Sequence, residues 1–574
     1  MTRETDPEIR GWTILSDSKA DALAVIEAAG SYDINHLQLS HHVVHNLKEV
    51  RDEGKRRLVT ELTEAAHQAS ISDVLLWDHC LYELDYYPQG FRTGPDGTID
   101  LDNPAFWEWV KEDYRELLRL VPSIQGLLLT FIETGARVEI QHSRELRTKQ
   151  EKLAAAVNAV ADVVVEEHRL KLFVRTFSYN RAEYETVIAT IDLFENDKIG
   201  LMMKETPHDF FLTHPDNPLP GRIARSTLVE FDTANEFSGQ GIIANTWPEY
   251  VLARARELLA REHVIGYVAR TDRFGNTRIV GRPPEINLYA LKRYCEEPDV
   301  TAERIYDEFI SMRYGEKSVP HVKKAFKQAF DVVTATLYTL GTNAANHSAL
   351  DYEPYLSTYI RHISGKWIDP PVVWVRHGVD RDFHYWKDIV NRIAPVWAKH
   401  GHDQRHEIPW VYERGWVDMG ENIDEEYLQY IITEKDFGVQ AAEAAHAALE
   451  AGRSVLDPAQ YEELHHYLTR TLLTARLYRA AATVYFGLRL YGRGKRHQDT
   501  DLVSTLRSAL RELRETAVAI RDYPVKPPVG EWNWVADAET ALRYYRFAAK
   551  SGWPSHTRGI PNRCAGVTVP LGRG

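Results

Sequence analysis

The chain has 574 residues, 44% of them hydrophobic, 26% charged and 11% aromatic, with a mean hydropathy of −0.40, which excludes a low-complexity chain and a bundle of membrane spans. Asp and Glu number 83 against 69 Lys and Arg, a formal charge of −14 that argues against general binding to nucleic-acid backbones or anionic membranes while leaving a local basic pocket open. Cys80, Cys295 and Cys564 form no CxxC pair, the opening MTRETDPEIRGW has no apolar segment, and no run of about 18 apolar residues follows, so a cytoplasmic protein is expected.

From residue 11 to about 300, short β-branched runs alternate with segments of helical period, the pattern of repeated βα units. Strands are predicted at Gly11–Leu15, His36–Leu39, Val74–Trp77, Gly126–Phe131, Leu172–Phe177, Ile199–Met203, Thr227–Phe231 and Val264–Ala269. Helices are predicted between most of them, at Ala20–Ala29, Leu58–Ala69, Ala105–Leu120, Lys149–His168, Ala182–Phe194 and Tyr250–His263. Eight such strands predict an α/β fold, a (β/α)8 TIM barrel over 1–300. The stretch from Asp209 to Ser226 carries three prolines and no helical period, so strands six and seven are expected to be joined by a long loop.

After Tyr294 the period is helical throughout, at Ala302–Tyr314, His321–Leu340, Glu425–Ala451, Ala459–Tyr491, Leu502–Arg521 and Ala536–Ala549. This predicts a C-terminal α-helical region over 301–552, interrupted by Trp- and His-rich ordered loops at 364–422 that include Trp374 and His377 as sugar-stacking candidates. Residues 553–574 read as an extended arm.

In a barrel of this kind the chemistry sits at the C-terminal strand ends. Polar residues concentrate there: His42 after strand two, Asp78 and His79 after three, Glu133 after four, Arg175 on five, Lys204 and Asp209 after six, Glu230 and Glu236 on and after seven, and Arg270 and Asp272 after eight. Each alone is as consistent with a helix cap or a salt bridge as with a site, but the set is not. Carboxyls facing one another across a mouth shift each other's ionisation, and a protonated carboxyl beside an ionised one is what glycosidic bond cleavage requires. Two alternatives stand beside this reading. His79, Glu133, Asp209 and Asp272 have the donor types of a divalent-metal isomerase or lyase acting on a sugar acid. A barrel without catalysis that only binds saccharide is the other.

Several segments resemble one family, the α-glucuronidases of glycoside hydrolase family 67. KETPHDFFLTHPDNPLPG (204–221), LVEFDTANEFSGQ (228–240), VRTFSY (174–179), VIGYVARTDRFGN (264–276) and NLYALKRYCEEPDVTAERIYDEFISMRYG (287–315) are similar to its ordered blocks, in the same order. The resemblance implies an inverting, exo-acting enzyme that releases a uronic acid from short oligosaccharides such as xylan fragments. It implies Glu133 as general acid, Asp209 or Glu236 as base, and Arg175 and Lys204 as anchors of the uronate carboxylate. His42, Asp78, His79, Glu230, Arg270, Asp272, Trp374 and His377 complete the expected substrate-binding set. Leu129 stands where the family has a further Lys. The chain reaches its first expected strand at residue 11, so a relative without the family's N-terminal β-rich domain is expected. No cofactor and no metal are expected, the partner is an oligosaccharide or small glycoside, and the resemblance implies a homodimer through the helical region.

Overall fold

The computed structural model describes residues 7–131, 134–176, 181–207, 209–275, 277–339, 342–343, 348–350, 375–376, 410–412, 416–418, 423–492 and 499–550. Glu133, Trp374, His377 and the arm at 553–574 lie outside the described residues.

Eight parallel strands close into a barrel in sequence order: β1 (Ile9–Ile14), β2 (His36–Leu39), β3 (Asp73–His79), β4 (Gly126–Thr130), β5 (Lys171–Thr176), β6 (Gly200–Lys204), β7 (Thr227–Phe231) and β8 (Val264–Arg270). The boundaries fall within two residues of those expected, because strands buried on both faces read as continuous apolar runs. Around them run α1 (Lys19–Ala29), α2 (Glu53–Gln68), α3 (Pro104–Leu120), α4 (Lys149–Ala161), α5 (Arg181–Ile191), α6 (Pro248–Leu258) and α7 (Glu285–Glu296). Helix α2 begins five residues before its apolar period does: Asp52 caps it by accepting from the Lys55 backbone N–H, and its first turn is polar. No helix joins β6 to β7 among the described residues, as the prolines of that stretch predict.

Side-chain alternation sorts the strands into two faces. Ile9, Leu75, Trp77, Leu128, Phe173, Met202, Leu228 and Val268 pack together inside the barrel. Above them Gln38 accepts from the Trp77 indole at 3.1 Å and from Thr13 Oγ1 at 3.2 Å, and the next inward residues toward the C-terminal end are charged.

The helical region follows as α8 (Ala302–Tyr314), α9 (Val319–Phe326), α10 (Ala329–Leu337), α11 (Glu425–Ala451), α12 (Pro458–Tyr491), α13 (Thr500–Arg521) and α14 (Trp534–Lys550). The single helix expected at His321–Leu340 is two, α9 and α10, and three short strands, Val375–Arg376, Trp410–Tyr412 and Trp416–Asp418, pair antiparallel inside the expected loops. One apolar core runs from Trp12 in β1 to Ala548 in α14. Backbone N–H groups of the loop after β7 reach across to α12, from Ala244 to Thr471 Oγ1 at 2.9 Å and from Asn245 to Tyr467 Oη at 2.6 Å.

The barrel closes where β1 meets β8, and Gly266 there lets the strands approach so closely that a methyl group would collide with the Ile9 carbonyl. Gly266→Ala is expected to destabilise the fold by about 1–3 kcal/mol, the usual cost of overpacking, seen as a lower thermal unfolding midpoint. An unchanged midpoint would contradict this account of the seam.

Candidate active site

The inward-facing positions at the ends of β5 to β8 bring Arg175, Lys204, Glu230 and Arg270 into the barrel mouth, all at most 4% exposed. Glu230 lies between two guanidiniums, with Arg175 Nε 2.7 Å from one oxygen and Arg270 Nε 2.9 Å from the other. Burial alone would raise its pKa, but Arg175 and Arg270 prevail and bring it down to about 2. Arg270 then reaches Glu236 at 2.7 Å, Arg273 holds the other Glu236 oxygen at 2.6 Å, and the same Arg273 nitrogen meets Glu531 at 2.6 Å. The result is an alternating row of charges from the barrel interior to the segment preceding α14.

Asp209 is placed by the long loop after β6. Its Oδ1 accepts from Lys204 Nζ and from the Phe210 backbone N–H, while Thr206 Oγ1 donates to its carbonyl at 2.8 Å. Lys204 also lies 4.6 Å from the Phe210 ring centre, and its pKa is lowered by burial against the opposing pull of Asp209. The loop is pinned from below by buried Arg254 of α6, which donates to the carbonyls of Glu205, Pro215 and His214 and to Asp216 Oδ1. Its far end is held by Arg261, which donates to the carbonyls of Asn217 and Pro220. Tyr338, just after α10, ties this loop to the next: its hydroxyl accepts from the Leu212 N–H at 3.1 Å and lies 3.0 Å from Ser238 Oγ.

Arg175, Lys204, Asp209, Glu230, Glu236 and Arg270 therefore come together. His79 borders them: its Nδ1 donates to the His45 carbonyl at 2.8 Å, its ring stacks on His45, and burial, with His45 and Arg175, lowers its pKa to about 3, so it is a neutral imidazole with Nε2 as acceptor. His42 is an exposed rim residue stacked on Phe274 at 4.1 Å. The neighbouring His41 is the one that feels Arg273, Arg270 and Arg175, which together with burial hold it neutral.

Two expectations are corrected. Asp78 follows inward-facing Trp77 and so points out of the barrel, where it accepts from the Leu47 N–H at 2.8 Å and from the Tyr114 hydroxyl of α3. Asp272 spends both oxygens on backbone N–H groups, of Leu15 and of Phe274, and tethers the end of β8 to β1. Its burial lifts its pKa to about 6. Of the alternative metal set His79, Glu133, Asp209 and Asp272, Glu133 lies outside the described residues, and no group of His, Cys, Asp and Glu close enough to share an ion among the described residues contains the other three.

Sequence reasoning missed Arg273, Glu531 and Asp232. Arg273 is 5% exposed, and its Nε and Nη1 have no hydrogen-bond partner among the described residues. Asp232 accepts the Glu236 N–H at 2.7 Å through Oδ2, and its Oδ1 has no hydrogen-bond partner among the described residues; burial and the Glu236 charge raise its pKa against Arg270. The alternation Glu230, Asp232 after a strand that faces the mouth was the available signal for it.

No family model matches the chain, and no curated protein matches it in sequence. The fold does have counterparts. A GH138 enzyme targeting pectin rhamnogalacturonan II superposes with a TM-score of 0.55 at 11% identity, over 95% of this chain and 84% of that one. Thermobaculum terrenum O-GlcNAc hydrolase, in a mutant form, gives a TM-score of 0.43 at 12% identity, over 95% and 94% of the two chains. What is shared is the fold alone: this barrel with its helical region has the overall arrangement of that GH138 enzyme.

Below the mouth, Glu205 accepts the Asp232 N–H and stands 3.7 Å from Arg254; burial outweighs Arg254 and lifts its pKa from 4.5 to about 7. A carboxyl raised on folding stabilises most below its unfolded pKa, and that contribution is lost as pH rises through the folded one. Glu205→Gln is therefore expected to gain stability relative to the parent protein between pH 4.5 and 8, by about 1–3 kcal/mol, in denaturant titrations across that range. A pH-independent difference would show that Glu205 is ionised in the fold throughout.

Proposed function

We propose that the chain is an inverting glycoside hydrolase of α-glucuronidase type, releasing a uronic acid from the end of short oligosaccharides. The observation that carries this reading is the crowding of four buried cations, Arg175, Lys204, Arg270 and Arg273, among carboxylates at one barrel mouth. Each of these cations already meets a carboxylate, but Arg273 keeps Nε and Nη1 without a hydrogen-bond partner among the described residues, and a sugar carboxylate would take them as paired N–H donors where a neutral sugar gives weaker acceptors. Where the resemblance expects a Lys, this chain has Leu129, and Arg270 and Arg273 bring the buried cations of the mouth to four.

Glu133, the acid implied by the resemblance, protonates the glycosidic oxygen as the bond to the anomeric carbon breaks, and the aglycone leaves as an alcohol. A water attacks that carbon from the opposite face and gives its proton to a carboxylate, so the configuration inverts. Asp209 suits the base better than Glu236. An arginine occupies each Glu236 oxygen, whereas Asp209 is held through Oδ1 and has no partner on Oδ2 among the described residues.

Proton NMR of the first product anomer from an α-uronide is expected to show the β form; an α product would sink the inverting mechanism. Glu133→Gln and Asp209→Asn are each expected to lower kcat by about 10²–10⁴-fold. Near-normal turnover by either removes that residue from its role. Arg273→Ala is expected to lower kcat/KM for a uronide by at least about tenfold more than for the matching neutral glycoside. Equal losses on both substrates would argue against carboxylate recognition.

A further inference from the structure

Away from the mouth, the antiparallel pair α11 and α12 brings two imidazoles and a carboxylate together. His446 and Glu450 are four residues apart on α11 and share a face, and His465 faces them from α12. The ring centres of His446 and His465 are 5.0 Å apart, and His465 Nδ1 is 3.3 Å from Glu450 Oε1. One ligand atom from each of the three lies within 4.8 Å of the others.

The surroundings fix this group in place. The Tyr461 hydroxyl donates to Glu450 Oε1, its ring stacks against His465 at 5.6 Å, and His446 Nε2 is 3.3 Å from Thr469 Oγ1. The Tyr461 hydroxyl also lies 3.4 Å from His465 Nδ1, so Glu450 and His465 share one tyrosine while His446 stands beside them.

We propose that His446, Glu450 and His465 form a zinc site that clips α11 to α12. Two imidazoles with one carboxylate suit Zn²⁺ over Mg²⁺ or Ca²⁺, which take oxygen ligands. Zn–N and Zn–O bonds of about 2.0–2.2 Å in a tetrahedron set ligand atoms about 3.3–3.5 Å apart. The cluster needs only side-chain adjustments to contract to that, at positions that are half-buried or exposed. A divalent ion would replace the proton between His465 Nδ1 and Glu450 Oε1, and water would complete the coordination. The site stands apart from the barrel mouth, so it does not depend on the glycosidase reading.

Calorimetric titration of the chelator-stripped full chain with zinc chloride at pH 7.5, paired with thermal melts, tests this. The protein is expected to bind one equivalent more than His446→Ala or His465→Ala, with a rise in melting midpoint that both variants lose and that magnesium chloride does not reproduce. The remaining histidines of the chain serve as the internal control for weak uptake elsewhere. Equal stoichiometry in parent and variants, or no uptake at 100-fold molar excess of zinc, would overturn the proposal. Glu450→Gln, which keeps the shape of the cluster, is expected to weaken binding at least tenfold, and undiminished affinity would remove Glu450 from the site.

Discussion

Everything at the mouth depends on one constraint, that no charge withdrawn from water there is left without an opposite charge in contact. Moving an ion into the interior costs several kcal/mol even after relaxation. The chain answers with the row Arg175, Glu230, Arg270, Glu236, Arg273, Glu531, each member paired with the next. Such a row is indivisible: removing one member strands its neighbours, at a cost of about 3–5 kcal/mol for a buried pair. Apolar residues of similar volume would hold a barrel shut as well, which is why so expensive a cluster bears on function.

The row also joins the two halves of the chain. Its last member, Glu531, precedes α14, and next to it Trp532 donates its backbone N–H to Gln240 Oε1 in the loop after β7. From α11, buried Lys435 donates to the carbonyls of Ala335, Thr336 and Tyr338, closing the end of α10 and setting Tyr338 between the two mouth loops. Helices far along the chain thus fix the loops that carry Asp209 and Glu236. Groups held in this way need little reorganisation when a substrate arrives.

The same burial moves neighbouring carboxyls in opposite directions. Glu230, between two guanidiniums, stays ionised; Glu205, its neighbour across the β6–β7 pairing, and Asp232, two residues on, have weaker compensation and are pushed up. A chain of net charge −14 does not attract an anionic sugar from a distance, and salt screens what field there is within about 10 Å. Recognition of a uronate would fall to the cations of the mouth at contact range.

The sequence by itself determined the barrel, the helical region and the strand-end charges, because strands buried on both faces show as apolar runs and the inward residue at each end follows from a period of two. Arg175, Lys204, Glu230 and Arg270 were legible for that reason. The same period, applied from Trp77, turns Asp78 outward; its proximity in sequence to the strand end outweighed it. What only the tertiary structure decided is pairing. Glu531 meets Arg273, and Tyr338 bridges Leu212 and Ser238, across separations that no local pattern encodes. Whether Glu236 is bound on both oxygens and Asp209 on one depends on which guanidinium arrives, and contacts of that kind are selected by packing of the whole chain rather than by any segment of it.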